Sequence, residues 1–345
     1  MSTAKIAKTI ARQKEKIAEG NFYEAHQQLR VITARYLKAH DYASASDVLH
    51  TGSLMLLRAG QGGSGGDLAL MLLNDVYVKG EWVCNQENKS RLVEILRAFP
   101  TGEPTRKRFI TEMVAWSAKF GDIERGDPEL HFEAGKVYAE EGEVYDAERH
   151  LILGTRESAP ILASLHYNWY RLDQPHLAAI YASRSVLPYL LVGDLASANQ
   201  ALSTFTSHLT TSNPALLAMS QPLESSKSGL SLRVFPSIPL LNFLALLLLA
   251  AQKADAGLFR QLAKYYASHL KDTEGLWSDA LANIGDIWFG IRLPRQGGNP
   301  LFDMMGSMLF GGGGGAASSP AAKAGTPKLP PAAKEIEKPP TMDLD

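Results

Sequence analysis

Between residues 21 and 39, Phe22, Ala25, Leu29, Ile32 and Tyr36 recur at steps of three and four, which places them along one face of a helix. Ahead of them, Ile6, Ile10 and Ile17 give a shorter stripe that stops at Gly20. The same period runs through residues 46–57, 67–78, 89–98, 106–120 and 128–141. It resumes over 145–154, 159–172, 176–192, 195–209, 239–251, 258–270 and 277–291. About 13 helices are predicted, and alternating strand patterns are almost absent, so the fold class is all-α.

A weak internal repeat refines that class. Gly20-Asn21-Phe22-Tyr23-Glu24-Ala25 has the form of Gly142-Glu143-Val144-Tyr145-Asp146-Ala147 and of Gly193-Asp194-Leu195-Ala196-Ser197-Ala198, with His40-Asp41-Tyr42-Ala43-Ser44-Ala45 as a degenerate copy. Glycine ends one helix in a left-handed turn, a polar residue caps the next, and the alanine lets two helices approach. This is the turn chemistry of tetratricopeptide-like hairpins without their fixed period, and it predicts an irregular α-solenoid. Its N-terminal half spans residues 1–150 and its C-terminal half 151–310. Residues 210–239, rich in Ser and Pro, include the alternation Leu230-Ser231-Leu232-Arg233-Val234-Phe235, expected to form a short extended or β-hairpin arm. The Gly/Pro/Ala/Lys composition of residues 311–345 predicts a disordered tail.

Composition narrows the functional classes. Of 345 residues, 45% are apolar and 21% charged, with a formal net charge of −1, which argues against a strongly basic nucleic-acid binder. A single cysteine, Cys84, cannot build a disulfide framework or a cysteine zinc site and suits a reducing compartment. The N-terminal residues lack the apolar core of a secretory signal. The most apolar run, 243–251, is far shorter than the roughly 20 residues a membrane span needs. A cytosolic chain with no direct membrane span is expected.

Few residues invite catalysis. Gly60, Gly62 and Gly65 satisfy a dinucleotide-type G-x-G-x-x-G, and Gly62, Ser64 and Gly66 satisfy G-x-S-x-G. Both motifs need a preceding strand, and the pattern before them is helical. The stretch therefore reads as a flexible helix–helix connection, with Asp67 capping the next helix. No two of the nine histidines share a helical face at ligand spacing, so no metal or cofactor site is expected. His26, His150 and His166 lie within helical stripes and are expected to be packed. The ten acids of residues 122–148 read as a solvated or docking face. No catalytic trio emerges, and the chain reads as a non-enzyme. The rivals are a scaffold subunit of another trafficking or proteostasis complex, and an oxidoreductase or hydrolase using the glycine stretch.

Charge asymmetry is more informative. Residues 1–40 carry five more Lys and Arg than Asp and Glu. Tyr23, Gln27, Arg30 and Lys38 flank the apolar stripe of the second helix, and Tyr and Arg are enriched in interface hot spots. The Leu-rich 240–249 segment has no polar face and is expected to be buried on every side. Met304, Met305 and Met308 offer a partner surface or a last packed turn.

Gly20-Asn21-Phe22-Tyr23-Glu24-Ala25-His26-Gln27 with Arg30 and Arg35-Tyr36 resembles the N-terminal signature of the fourth component of the guided-entry pathway for tail-anchored proteins. Gln61-Gly62-Gly63-Ser64-Gly65, Gly126-Asp127-Pro128, Tyr145-Asp146-Ala147-Glu148-Arg149, Leu241-Asn242-Phe243-Leu244 and Asp303-Met304-Met305 follow in that family's order, covering about residues 5–310. The resemblance implies a non-enzymatic α-solenoid adaptor. Its N-terminal half would dock on the pathway's targeting ATPase, and its C-terminal half would hold a ubiquitin-like-domain protein that recruits a client-bearing co-chaperone. By matching position, Tyr23, His26, Arg30 and Arg35 are assigned to the ATPase face. Leu232, Val234 and Phe235 of the arm, with Phe243 and Leu247, are assigned to the ubiquitin-like partner. Tyr36 also matches but belongs to the core stripe.

Overall fold

The computed structural model describes residues 3–225, 230–271, 273 and 275–291. Among these, sixteen α-helices follow one another, and one two-stranded sheet interrupts them. The first hairpins comprise α1 (Thr3–Ala18), α2 (Phe22–Lys38), α3 (Tyr42–Arg58) and α4 (Gly62–Met71), the last continuing as a π-helical segment Leu72–Val78. Then come α5 (Gln86–Ala98), α6 (Pro104–Phe120), α7 (Pro128–Glu140), α8 (Val144–Leu151) and α9 (Ser158–Tyr170). The second half holds α10 (Ala178–Leu191), α11 (Leu195–Ser212), α12 (Pro214–Met219), β1 (Gln221–Ser225) and β2 (Leu230–Val234). It closes with α13 (Pro239–Lys253), α14 (Ala256–Tyr265), α15 (Ala267–Lys271) and α16 (Ser278–Phe289).

Nearly every helix packs on its close neighbours in sequence, α3 on α2 and α4, α7 on α8 and α9, α11 on α9 and α10. That local pattern defines an α-solenoid, with one continuous core running along it. The exception is α16, which returns to α10; the Trp288 indole Nε1 donates to the Leu190 carbonyl at 2.8 Å.

The repeat has a backbone cause. Gly20, Gly60, Gly142 and Gly193 all have positive φ, and His40 and Ala254 take the same left-handed conformation. In each case the next residue's N–H reaches five residues back, as in Asn21 to Lys16 O, Asp41 to Tyr36 O and Asp194 to Tyr189 O, each at 2.9 Å. This closes the helix end by a Schellman-type bond. Asp41, Asp194 and Asp255 then cap the following helix through Ser44, Ser197 and Leu258 N–H. Ala25, Ala45, Ala147 and Ala198, five residues beyond the turn, are wholly buried.

The glycine stretch is one more copy of this turn. Gly62–Gly66 form the first turns of α4, and Gln61, not Asp67, is the N-cap residue. Gly65 occupies the alanine position so closely that an added Cβ would lie 2.6 Å from Leu57 Cγ. The expectation of a flexible connection is overturned, because close approach to α3 and α6 fixes these residues. No strand precedes them among the described residues, so the enzyme readings of the stretch lose their required context.

Other departures are local. Pro214 at the first position and the Asn213 cap nucleate α12 inside the Ser/Pro-rich stretch, and the 258–270 pattern divides at Tyr266 into α14 and α15. Helix α13 buries Phe243, Leu244, Leu247 and Leu248, but Asn242, Ala245, Leu246 and Leu249 are only half-buried. Met304, Met305, Met308 and the 311–345 stretch lie outside the described residues.

Candidate functional site

Helix α2 turns Ala25, Leu29, Thr33 and Tyr36 inward, and this leaves Tyr23, Gln27, Arg30 and Lys38 on the outer face. Tyr23 is 77% exposed. His26 sits at the border, buried, with Nε2 2.8 Å from Asp67 Oδ2 of α4. Arg30 Nη1 donates to that same oxygen at 3.1 Å. The Gln27 amide lies 3.5 Å from His26 Nδ1, which leaves Nε2–H to donate to Asp67. One carboxylate thereby fixes an imidazole and a guanidinium beside an exposed tyrosine. Arg35 is exposed but lies about 140° round the helix from Arg30 at 3.6 residues per turn. The structure therefore brings together Tyr23, His26 and Arg30, and sets Arg35 on the other flank. Asp67 was missed as a site residue because its partners lie about 40 positions away, on the preceding hairpin; a His and an Arg four apart on one face were the available signal.

The expected arm is an antiparallel hairpin, with Gln221 opposite Val234 and Ser225 opposite Leu230. Its base is pinned twice. Arg233 Nη1 donates to Ser220 Oγ at 2.8 Å. Phe235 N–H donates to Asn242 Oδ1, and Asn242 Nδ2 donates back to Phe235 O, both at 2.8 Å. This pairing accounts for the single polar residue of the leucine-rich 240–249 segment. Phe235, Phe243 and Leu247 are buried within the chain, Phe243 against Tyr266 and Trp277. Val234 is half-buried, and the Leu232 side chain lies outside the described set. Exposed Leu217 and Met219 of α12 add apolar surface just ahead of the arm.

Six of the ten acids of residues 122–148 depart from the expected solvated face. Asp127 and Glu129 accept from Lys89 Nζ, Glu133 from Arg97, Glu141 from Arg106, Asp146 from Lys107, and Glu148 from Arg184. Each bond links residues 35–40 positions apart, about one hairpin. These six acids join successive hairpins, while Asp122, Glu124, Glu140 and Glu143 stay on the exposed surface.

Histidines fill the same joints. His166, wholly buried, lies 2.6 Å from Glu148 Oε1 and 2.6 Å from Ser185 Oγ. His131 Nε2 donates to Arg125 O at 2.9 Å, so its Nδ1 accepts from His150 Nδ1 at 3.0 Å. Burial, and then the neighbouring His131, push His150 down to about 4, and burial also lowers His131 and His166. Above pH 6.5 neither the folded nor the unfolded His150 binds its proton. As pH falls from 6.5 towards 4 the unfolded chain takes up a proton that the folded chain refuses. His150 alone is expected to cost about 1.4 kcal/mol of stability per pH unit in that window. Urea titrations between pH 7 and 5 check this, with His150→Phe expected to remove about one proton from the slope; an unchanged slope would refute it.

A solenoid whose ion pairs join hairpins, and which presents a tyrosine–arginine face at one end and a hairpin arm towards the other, is a helical-repeat scaffold. A family model described as Golgi to ER traffic protein 4 matches residues 39–309. Golgi to ER traffic protein 4 of Aspergillus fumigatus is 54% identical over 99% of this chain and 100% of its own length. The Schizosaccharomyces pombe protein of that name is 35% identical over 86% of this chain and 95% of its own length. A crystal structure of C. therm. Get4 superposes with a TM-score of 0.80 at 48% identity, covering 90% of this chain and 96% of that one. The chain belongs to the Golgi to ER traffic protein 4 family and to its pathway of tail-anchored protein targeting. No helix among the described residues is long and apolar enough to cross a membrane.

Proposed function

We propose that the chain is a non-enzymatic cytosolic adaptor that bridges a targeting ATPase and a ubiquitin-like-domain protein. The N-terminal half, residues 1–150, docks the ATPase through the Tyr23–His26–Arg30 face. The C-terminal half, 151–310, holds the N-terminal segment of the ubiquitin-like protein beside the β1–β2 arm, and the co-chaperone with its tail-anchored client joins through that protein. Transfer then becomes intramolecular, at an effective concentration on the order of millimolar for short tethers. The observation that carries this reading is the exposed Tyr23–Arg30 face, locked by Asp67 on a family-typical solenoid.

A pull-down of the tagged chain from native cytosol, at low salt with ATP and Mg²⁺, is expected to recover both partners. Low salt matters because ions screen a basic face within a Debye length of about 10 Å at 0.1 M. Recovery of a different multi-subunit complex in their place would discard the reading. Replacing residues 223–232 by a Gly-Ser linker leaves the Phe235–Asn242 pin in place. It is expected to cut recovery of the ubiquitin-like partner at least tenfold and leave ATPase recovery unchanged. Undiminished recovery of both would clear the arm of this role.

A further inference from the structure

The Tyr23–Arg30 face uses only part of the basic surplus of residues 1–40. Arg30 is held by Asp67, and Lys16 pairs with Glu24. Lys8 and Arg12 of α1 and Arg35 and Lys38 of α2 are exposed, and none of the four has an ion pair among the described residues. Register brings them together. Gln13 Nε2 donates to Gln28 Oε1 at 3.0 Å, and with the Lys16–Glu24 pair this sets position 8 of α1 about level with 33 of α2, and 12 with about 29. Arg35 projects within about 20° of Glu24 and Gln28, the α2 residues that meet α1. On α1, Arg12 lies about 40° and Lys8 about 80° from Lys16. The four cations therefore line the outer seam between α1 and α2 over roughly 14 Å, with Val31, 51% exposed, among them. The acids Glu15, Glu19 and Glu24 lie towards the turn at Gly20, where Glu24 is taken by Lys16 and Glu19 accepts from Asn21 at 3.2 Å.

We propose that this seam is a docking surface for an anionic lipid membrane, on which the chain settles reversibly and without inserting a helix. Charge complementarity selects the occupant. Each Lys or Arg held at an acidic leaflet raises partitioning roughly fivefold, so four give a gain on the order of several hundred-fold. The other 305 residues carry six more acids than bases, which turns the first hairpin, and not the rest of the chain, towards a negative surface. The exposed residue among the cations is an aliphatic valine, whereas a single-stranded nucleic acid would call for an aromatic ring to stack its bases. The isoleucine stripe of α1 takes no part: Ile6 is buried, and Ile10 and Ile17 pack on the core. Attachment is therefore electrostatic and salt-sensitive, unlike that of a helix that sinks its apolar face into the bilayer.

The seam is separate from the Tyr23–Arg30 face, since Arg35 stands about 140° round α2 from Arg30. Opposite flanks of one helix can thus meet a protein and a bilayer, and Arg35, which the family resemblance groups with Tyr23, belongs to the second. The membrane reading stands whether or not the first flank binds an ATPase.

Flotation of the full chain with phosphatidylcholine vesicles containing about 30% phosphatidylserine, at about 50 mM salt, tests this. At least tenfold more protein is expected to float with these vesicles than with pure phosphatidylcholine, and about 300 mM salt is expected to release it. Lys8→Glu/Arg35→Glu is expected to lower partitioning at least tenfold. Lys8→Gln/Arg12→Gln, which adds no repulsion and keeps good helix formers, is expected to lower it at least fivefold. Arg171→Glu/Arg260→Glu makes the same change in net charge as the first variant, on exposed residues outside the first hairpin, and is expected to lower it less than threefold. Equal flotation with both kinds of vesicle would overturn the proposal, as would a loss in Arg171→Glu/Arg260→Glu as large as in the seam variants. Capture of the chain by a short single-stranded RNA or a glutamate-rich peptide, with no flotation, would also overturn it and give the seam to another polyanion.

Discussion

Replacing Glu141 by Leu is expected to lower stability by about 3 kcal/mol, the lower end of what breaking a buried ion pair costs. Arg106, only 5% exposed, reaches from α6 to the C-terminus of α7, where both its terminal nitrogens donate to the Glu141 carboxylate. The hydrogen bonds from Arg106 hold the Glu141 carboxyl below the usual carboxylate range, so the pair stays ionised at neutral pH. Without Glu141 the guanidinium stays buried with its charge unpaired. The double change Arg106→Met/Glu141→Leu removes both charges and fills similar volume. It is expected to fall within about 1 kcal/mol of the parent, since an apolar replacement of a buried pair is often neutral. Urea unfolding of the single and double variants reads both values. A single-variant loss below about 1 kcal/mol would show that the joint between these hairpins does not depend on this pair.

Arg30→Glu is expected to weaken binding of the targeting ATPase at least 100-fold, which is about 2.7 kcal/mol. The substitution inverts the charge of the docking face and sets a new carboxylate against Asp67, whose oxygen now accepts from Arg30 and His26. Tyr23→Glu is expected to act similarly, because it replaces the most exposed aromatic ring of α2 by a charge. Folding stability of Tyr23→Glu should stay within about 0.5 kcal/mol of the parent, as usual for exposed positions, whereas Arg30→Glu also loses the bond to Asp67, so its folding is checked by urea unfolding alongside. Arg35→Glu, on the other flank of the helix, is expected to change affinity less than threefold. Titration calorimetry at low salt separates the three. Unchanged affinity in Arg30→Glu would remove the ATPase assignment from this face, and a larger loss in Arg35→Glu would move it round the helix.

The same residues show what was legible without coordinates. The stripe of Ala25, Leu29 and Tyr36 and the turns at Gly20, Gly142 and Gly193 depend on local periodicity and backbone conformation, both written within a few consecutive residues. In a solenoid most packing is between sequence neighbours, so local patterns fix the fold class and the family signature. Part of the candidate face was legible too: Tyr23 and Arg30 flank the apolar stripe on one helical wheel, and His26 was added by the family resemblance. What lies one hairpin away was not legible. That Asp67 pairs with His26 and Arg30, that six of the 122–148 acids join hairpins, and that Phe235 and Phe243 are buried within the chain were decided by tertiary structure. Gly65 shows why: within its own segment it reads as a loop glycine, and only the approach of Leu57 from α3 leaves no room there for a Cβ. Charges, glycines and aromatics take their roles from groups brought beside them by packing, and that packing is set by the summed burial of the whole chain.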